Sequence, residues 1–157
     1  SVRGYNTCAK MNPPLRLQED CDAIIAGFAD GTIDAVATDH APHAKAEKER
    51  EFDHAPFGII GLETSLPVSL DKLVENGPLS PLQLVEKMAT SPAQLLGIEA
   101  GTLQIGARAD VCVFDPSEKW FLTSETIQSK SKNSPWIGQT MQGRVKATFV
   151  AGKNVLP

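Results

Sequence analysis

The chain has 157 residues, of which 41% are apolar and 22% charged, and its formal net charge is -4. This is the size and balance of a single soluble globular domain, which excludes a disordered or fibrous protein, and the acidic balance recommends neither nucleic acid nor an anionic membrane as a partner. No apolar run is long enough to span a bilayer and the N-terminus lacks the plan of a signal peptide, so a cytoplasmic location is expected. Cys8, Cys21 and Cys112 are odd in number and none lies in a C-x-x-C pair, which argues against a disulfide framework or a thiolate zinc site. Cys21 and Cys112 are expected as small core residues.

In chain order, residues 1–12 show no periodicity and lead into Lys10-Met11-Asn12-Pro13-Pro14-Leu15-Arg16. Paired prolines forbid helix and make a rigid loop, a good mount for a ligand contact. Taken alone, however, the stretch favours a plain turn with Lys10 and Arg16 solvated. Over residues 18–30, Cys21, Ile24, Ile25 and Phe28 recur at the spacing of one helix face, acidic residues fill the first turn, and Gly31 provides the stop. The apolar, partly β-branched run 33–37 reads as a short buried strand.

Directly after it, Ala37-Thr38-Asp39-His40-Ala41-Pro42-His43 gathers a carboxylate and two imidazoles. The carboxyl end of a strand is where α/β folds place their sites. Spacing alone leaves two readings open: a reaction site, or an Asp-His pair that closes a turn by bonding to backbone.

Residues 44–53 alternate lysines, glutamates and an arginine, which predicts a solvated excursion, helical in part, with His54 on the surface. Ala55-Pro56-Phe57-Gly58-Ile59-Ile60-Gly61 then returns to apolar, glycine-rich sequence where backbone can approach a ligand closely. Residues 62–75 read as a helix, with Pro67 either kinking it or setting its start, and with Gly77 and Pro78 stopping it. Ser80-Pro81-Leu82-Gln83 and Ser91-Pro92-Ala93-Gln94 each have the form of a capping box, predicting two short helices over 81–89 and 92–96, the second ended by Gly97. Beyond Gly101, glycines punctuate short alternating runs around 111–114, 144–151 and 154–155, the pattern of a β module. A polar loop over 123–138 separates its strands, with Trp120 and Trp136 expected to seal core edges.

The order and spacing of segments 10–16, 37–43, 53–64 and 101–115, with Ser131-Lys132-Asn133-Ser134-Pro135-Trp136 and Gly143-Arg144-Val145 at the end, resembles the C-terminal part of bacterial-type dihydroorotases, members of the amidohydrolase superfamily. The likeness runs from about Tyr5 to Val155, although the Gly-x-x-x-x-Gly-x-x-Ala-Asp-Val segment that opens at Gly101 is common to many amidohydrolases. The resemblance implies an α/β fold. Residues 1–99 would hold the last strands and helices of a TIM-like (β/α)8 barrel, and residues 100–157 a small C-terminal β-sandwich module. It also implies zinc, one ion or two, and the reversible cyclisation of N-carbamoyl-L-aspartate to L-dihydroorotate in pyrimidine biosynthesis.

On the matching positions, Asp39 would bind the metal and move protons, Asn12 and His43 would contact the substrate, and Phe57 with Gly58 would offer it a backbone contact. His40 receives no role. The chain departs from the family in having three histidines and no His-x-His pair, so most metal ligands are expected outside it. It is accordingly read as the C-terminal portion of a longer enzyme, beginning at Ser1 after the sixth strand, whose missing N-terminal barrel portion would be a necessary partner. Taken alone it would be inactive. Two other readings stand beside this one: a non-catalytic scaffold subunit for aspartate transcarbamoylase, and a sister cyclic amidase acting on hydantoins or allantoin. Homo-oligomers and a transcarbamoylase partner are compatible with the resemblance.

Overall fold

The computed structural model describes residues 2–156; Ser1, from which the interrupted start was inferred, lies outside them. Two short 3-10 turns, Arg3–Tyr5 and Thr7–Ala9, precede the proline loop. Helix α1 spans Gln18–Asp30, with Glu19 and Asp20 in its first turn, and Gly31 ends it in the left-handed conformation at φ 85°. Asp20 takes the Leu17 amide at 3.2 Å and the Arg16 guanidinium, so Arg16 stays exposed beside the helix start.

The expected strand over 33–37 is not formed. The Ile33 amide donates to Gly27 and the Val36 amide to Lys87, and the Lys87 ammonium returns a bond to the Ile33 carbonyl at 2.8 Å. These partners are helical residues of this chain, and a strand needs a neighbouring strand to form a ladder.

Helix α2 is a single turn, Lys45–Lys48. Helix α3 begins at Ser65, so Pro67 sits in its first turn, where a missing N–H costs no bond; Pro67 sets the start and does not kink the helix. Its continuation over Leu70–Glu75 widens into π geometry. A Cβ on Gly77 would lie 2.4 Å from the Lys72 carbonyl oxygen, so only glycine lets the chain turn back so tightly there.

The two predicted helices over 81–89 and 92–96 are one continuous run: α4, Pro81–Val85, passes through a π turn, Glu86–Thr90, into α5, Ser91–Leu96. The first capping box forms, with the Gln83 amide donating to Ser80 Oγ at 3.3 Å and the Ser80 amide to Gln83 Oε1 at 2.8 Å. The second does not, because Thr90 and Ser91 are themselves helical. The π turn widens the ladder just before Pro92, whose ring cannot donate to it. Gly97, at φ 64°, ends the run.

The C-terminal region forms one antiparallel sheet in the order β1-β2-β3, from Val111–Phe121, Thr140–Val150 and Lys153–Asn154. Its register is interrupted between Asp115 and Lys119. There the Asp115 carboxylate accepts from the Ser117 hydroxyl and the Ser117 and Glu118 amides, a turn that accommodates Pro116 within a strand.

Two apolar clusters hold these elements. Phe28, Leu70, Leu73, Leu79 and Leu84 form one, and Ile60, Leu122, Ile127 and Met141 the other, with Trp120, Trp136 and Ile137 packed against the second. Sheet and helix meet closely at Gly143, where an added Cβ would lie 2.3 Å from Leu70 Cδ1. Cys21 and Cys112, expected in the core, are exposed. Of the predicted face of α1, Cys21 and Ile24 are exposed while Ile25 packs against the first cluster and Phe28 is buried in it, so this chain covers only the later half of that face.

Candidate functional site

Asp39 stands at the head of the 37–43 loop with φ 43°, a left-handed conformation that aspartate tolerates better than most residues and that sets its exposed carboxylate apart from the preceding backbone. His40, next in the chain, faces the fold: its Nδ1 accepts from the Gly61 amide at 3.1 Å and the Leu62 amide at 3.4 Å. Nδ1 is therefore unprotonated, and this imidazole anchors the loop to the segment entering α3. For His40 the turn-closing alternative is what forms.

His43 is placed differently. Its Nε2 lies 2.8 Å from the Phe57 carbonyl oxygen, which can only accept, so Nε2 carries the proton. Its Nδ1 is 3.8 Å from the Glu47 carboxylate across the short α2 helix. The candidate residues His43 and Phe57 are thus in direct contact. Gly58 lies against them, and a Cβ there would meet Ala41 Cβ at 2.5 Å and His43 Nε2 at 3.1 Å. With φ 122° as well, this position requires glycine on two grounds. The Ala41 amide donates to Ile59 at 2.8 Å, which pairs the loops directly.

Asn12 is exposed in the proline loop. Lys10, two residues earlier, was expected in solvent and is instead 7% exposed. Its ammonium donates to the carbonyls of Phe52 at 2.6 Å, Asp53 at 3.2 Å and Ala55 at 2.6 Å, using all three of its protons. It also lies 4.5 Å from the centre of the Phe57 ring, and the Gly58 amide returns a bond to the Lys10 carbonyl. The loop bearing Asn12 and the segment bearing Phe57 and Gly58 are thereby tied together.

Lys48 overturns the expectation of a wholly solvated excursion. It is 4% exposed, and its ammonium donates to the Pro56 carbonyl at 2.9 Å and the Gly58 carbonyl at 3.0 Å. Burial pulls its pKa below the ordinary lysine value, Cys8 opposes that shift and the nearby Lys10 adds to it. Its backbone carbonyl accepts from the Thr7 hydroxyl.

Sequence reasoning missed these two lysines and Asn133. A lysine in a polar run looks like any solvated lysine, and only carbonyl groups brought from distant segments make its burial favourable.

Among the described residues, Glu51, Asp53 and His54 are the one group of three donors close enough to share a metal ion; all three are exposed, and Asp39 is not among them. Zinc takes three or four protein donors. Asp39 thus belongs to no three-donor group among the described residues, though its carboxylate is chemically suited to be one ligand of a larger set. No helix among the described residues is long and apolar enough to cross a membrane.

The family model "Amidohydrolase family" matches residues 2–155. Over 99% of its length the chain is 57% identical to a dihydroorotase of Trichlorobacter lovleyi and 59% identical to one of Geotalea daltonii, and it spans 36% of each of those proteins. Among solved structures, dihydropyrimidinase from Brevibacillus agri superposes with a TM-score of 0.88 at 25% identity, covering 99% of this chain and 35% of that one. L-hydantoinase from Arthrobacter aurescens gives 0.84 at 35% identity, covering 93% and 34%. Sequence and architecture agree over nearly every residue, and the chain belongs to the amidohydrolase family.

Proposed function

We propose that this chain is the site-bearing C-terminal portion of a dihydroorotase, which opens the ring of L-dihydroorotate to N-carbamoyl-L-aspartate and closes it again. The observation that carries the reading is the identity of 57–59% with proteins of that name over 99% of this chain. The hydrogen bonds that tie the 37–43 loop, the Phe57–Gly58 segment and the loop bearing Asn12 to one another support it, since these are the segments that carry the candidate substrate contacts. In this reading residues 1–99 complete a (β/α)8 barrel with chain that is not in this sequence, and residues 100–157 contribute to a composite β-sandwich.

In ring opening, the oxygen of a water forms a bond to the ring carbonyl carbon, the carbon–nitrogen bond breaks, and the nitrogen keeps the electron pair and takes a proton. The Asp39 carboxylate accepts the water's proton at one oxygen and delivers it to that nitrogen. Asn12, with an amide able to donate and accept, orients the ring. His43, held in place by its Nε2–H on the Phe57 carbonyl with Glu47 beside Nδ1, contacts the substrate, and the segment at Phe57 and Gly58 provides the backbone contact. A divalent metal, zinc as the ion the family suggests, would be held in part by Asp39 and otherwise by residues beyond this chain, and would lower the pKa of the reacting water to about 7.

Assay of the complete protein in both directions tests this. Asp39→Ala is expected to reduce turnover by about 10²–10⁴-fold, the ordinary worth of a positioned acid–base group. Asn12→Ala should act chiefly on KM. Full turnover in the Asp39 variant would remove it from the chemistry. The hydantoinase and dihydropyrimidinase neighbours favour one second reading, a sister cyclic amidase, and a panel of dihydroorotate, hydantoin, dihydropyrimidine and allantoin separates the two.

A further inference from the structure

Asn133 lies in the long connection between β1 and β2, far along the chain from the site loops, and is 3% exposed. Its Oδ1 accepts from the His43 amide at 3.2 Å, and its Nδ2 donates to the Ala41 carbonyl at 2.9 Å and the Gly58 carbonyl at 3.2 Å. Its own carbonyl accepts from the Ile60 amide at 3.0 Å. The partners dictate the side chain's orientation: one is a donor and two are acceptors, so the amide cannot be turned over.

Two carbonyl oxygens from different loops repel each other. One buried NH2 group satisfies both, while the oxygen of the same amide holds the next turn of the first loop. No apolar side chain and no carboxylate can do all three. The two loops also have no slack where they touch, since a single added carbon on Gly58 would overlap Ala41.

We propose that Asn133 is a positioning residue that holds the His43 loop and the Phe57–Gly58 segment in the mutual register needed to bind substrate. The inference rests on the preceding reading that these two segments face the substrate. The side chain of Asn133 is spent on the backbone of His43, Ala41 and Gly58, so it acts through those loops.

The test uses Asn133→Ala and Asn133→Asp in the complete protein, with dihydroorotate as the probe. Asp keeps the acceptor for His43 but sets a carboxylate against two carbonyls. Both variants should raise KM about tenfold or more while kcat falls by less than about threefold, the signature of lost substrate positioning. The His43 amide should exchange with solvent about tenfold faster in the alanine variant and remain more protected in the aspartate variant, with the Leu122 amide of the sheet region unchanged in both.

An unchanged KM overturns the proposal. So does a fall in activity that follows only the folded fraction, which is what a purely structural residue would produce. If the alanine variant does not fold, the aspartate variant carries the same criteria. Absence of dihydroorotate turnover in the unmutated protein would sink the functional reading instead, and amide exchange would still report whether Asn133 joins the loops.

Discussion

The helices and sheet are held together differently from the loops that carry the candidate site. Around Leu70, Leu73 and Leu84, apolar side chains from α1, α3, α4 and the π turns interlock, and their positions follow from burial of a repeating pattern. Around Gly58 there is little regular structure, and the backbone is fixed by single polar side chains. Lys10 takes three carbonyls, Lys48 two, Asn133 two carbonyls and an amide, and His40 two amides. Apolar packing is tolerant of identity and needs only volume and pattern. A hydrogen-bonded cradle depends on identity, because removing one donor leaves several buried acceptors without a partner.

Substitutions in the two regions should damage different things. The largest loss is expected in the apolar half. Leu70 is 1% exposed, and Leu70→Ala should cost about 2–5 kcal/mol through lost burial and an unfilled cavity, read as a lower denaturation midpoint with KM little changed in the folded fraction. A next, smaller loss belongs to the site half. Lys10→Met keeps the length of the stem but strands the carbonyls of Phe52, Asp53 and Ala55, a cost of about 1–3 kcal/mol. Here the damage should be local, visible as faster proteolysis and amide exchange over 52–58 before the helices are affected. Global unfolding with no local phase would erase the distinction.

Two serines with the same sequence signature give a sharper contrast. Ser80→Ala removes a working cap and should cost about 1 kcal/mol, whereas Ser91→Ala removes no cap and should be close to neutral. Equal costs would mean that the second box forms after all. The smallest effect is electrostatic. The folded state holds Lys48 below its ordinary value of 10.5 through burial, so between the lowered value and 10.5 the unfolded chain binds more protons. Stability contributed at this site therefore rises with pH across that window. Melting curves of the parent and Lys48→Met should shift in the parent's favour as pH climbs through it; a constant difference would contradict the sign.

How far the site could be read from the sequence varies residue by residue. Asp39 and His43 stand out by their place after an apolar run, Asn12, Phe57 and Gly58 gain a site role only through the resemblance, and the fold brings His43, Phe57 and Gly58 into contact. His40 was indistinguishable from His43 in the same short stretch; only the amides of Gly61 and Leu62 settle that it is an anchor. Asn133 stands in a terminal motif, but nothing local to it indicates partners some 75–92 positions away. The missing strand over 33–37 has the same origin: an apolar run can specify burial, but a ladder needs a neighbour.

By itself the sequence determined what depends on nearby residues. Helix α1 with its glycine stop, the Ser80 cap, the glycine-marked strands and the family likeness all follow from periodicity, turn chemistry and motif order over short spans. The tertiary structure alone decided which polar groups are buried and which imidazole faces the fold. It also decided that α4 and α5 run together through a π turn, and that one asparagine from the sheet region bridges two loops of the site. The physical reason is that a buried charge or amide is favourable only when distant backbone supplies its partners, and that supply exists only once the chain has folded.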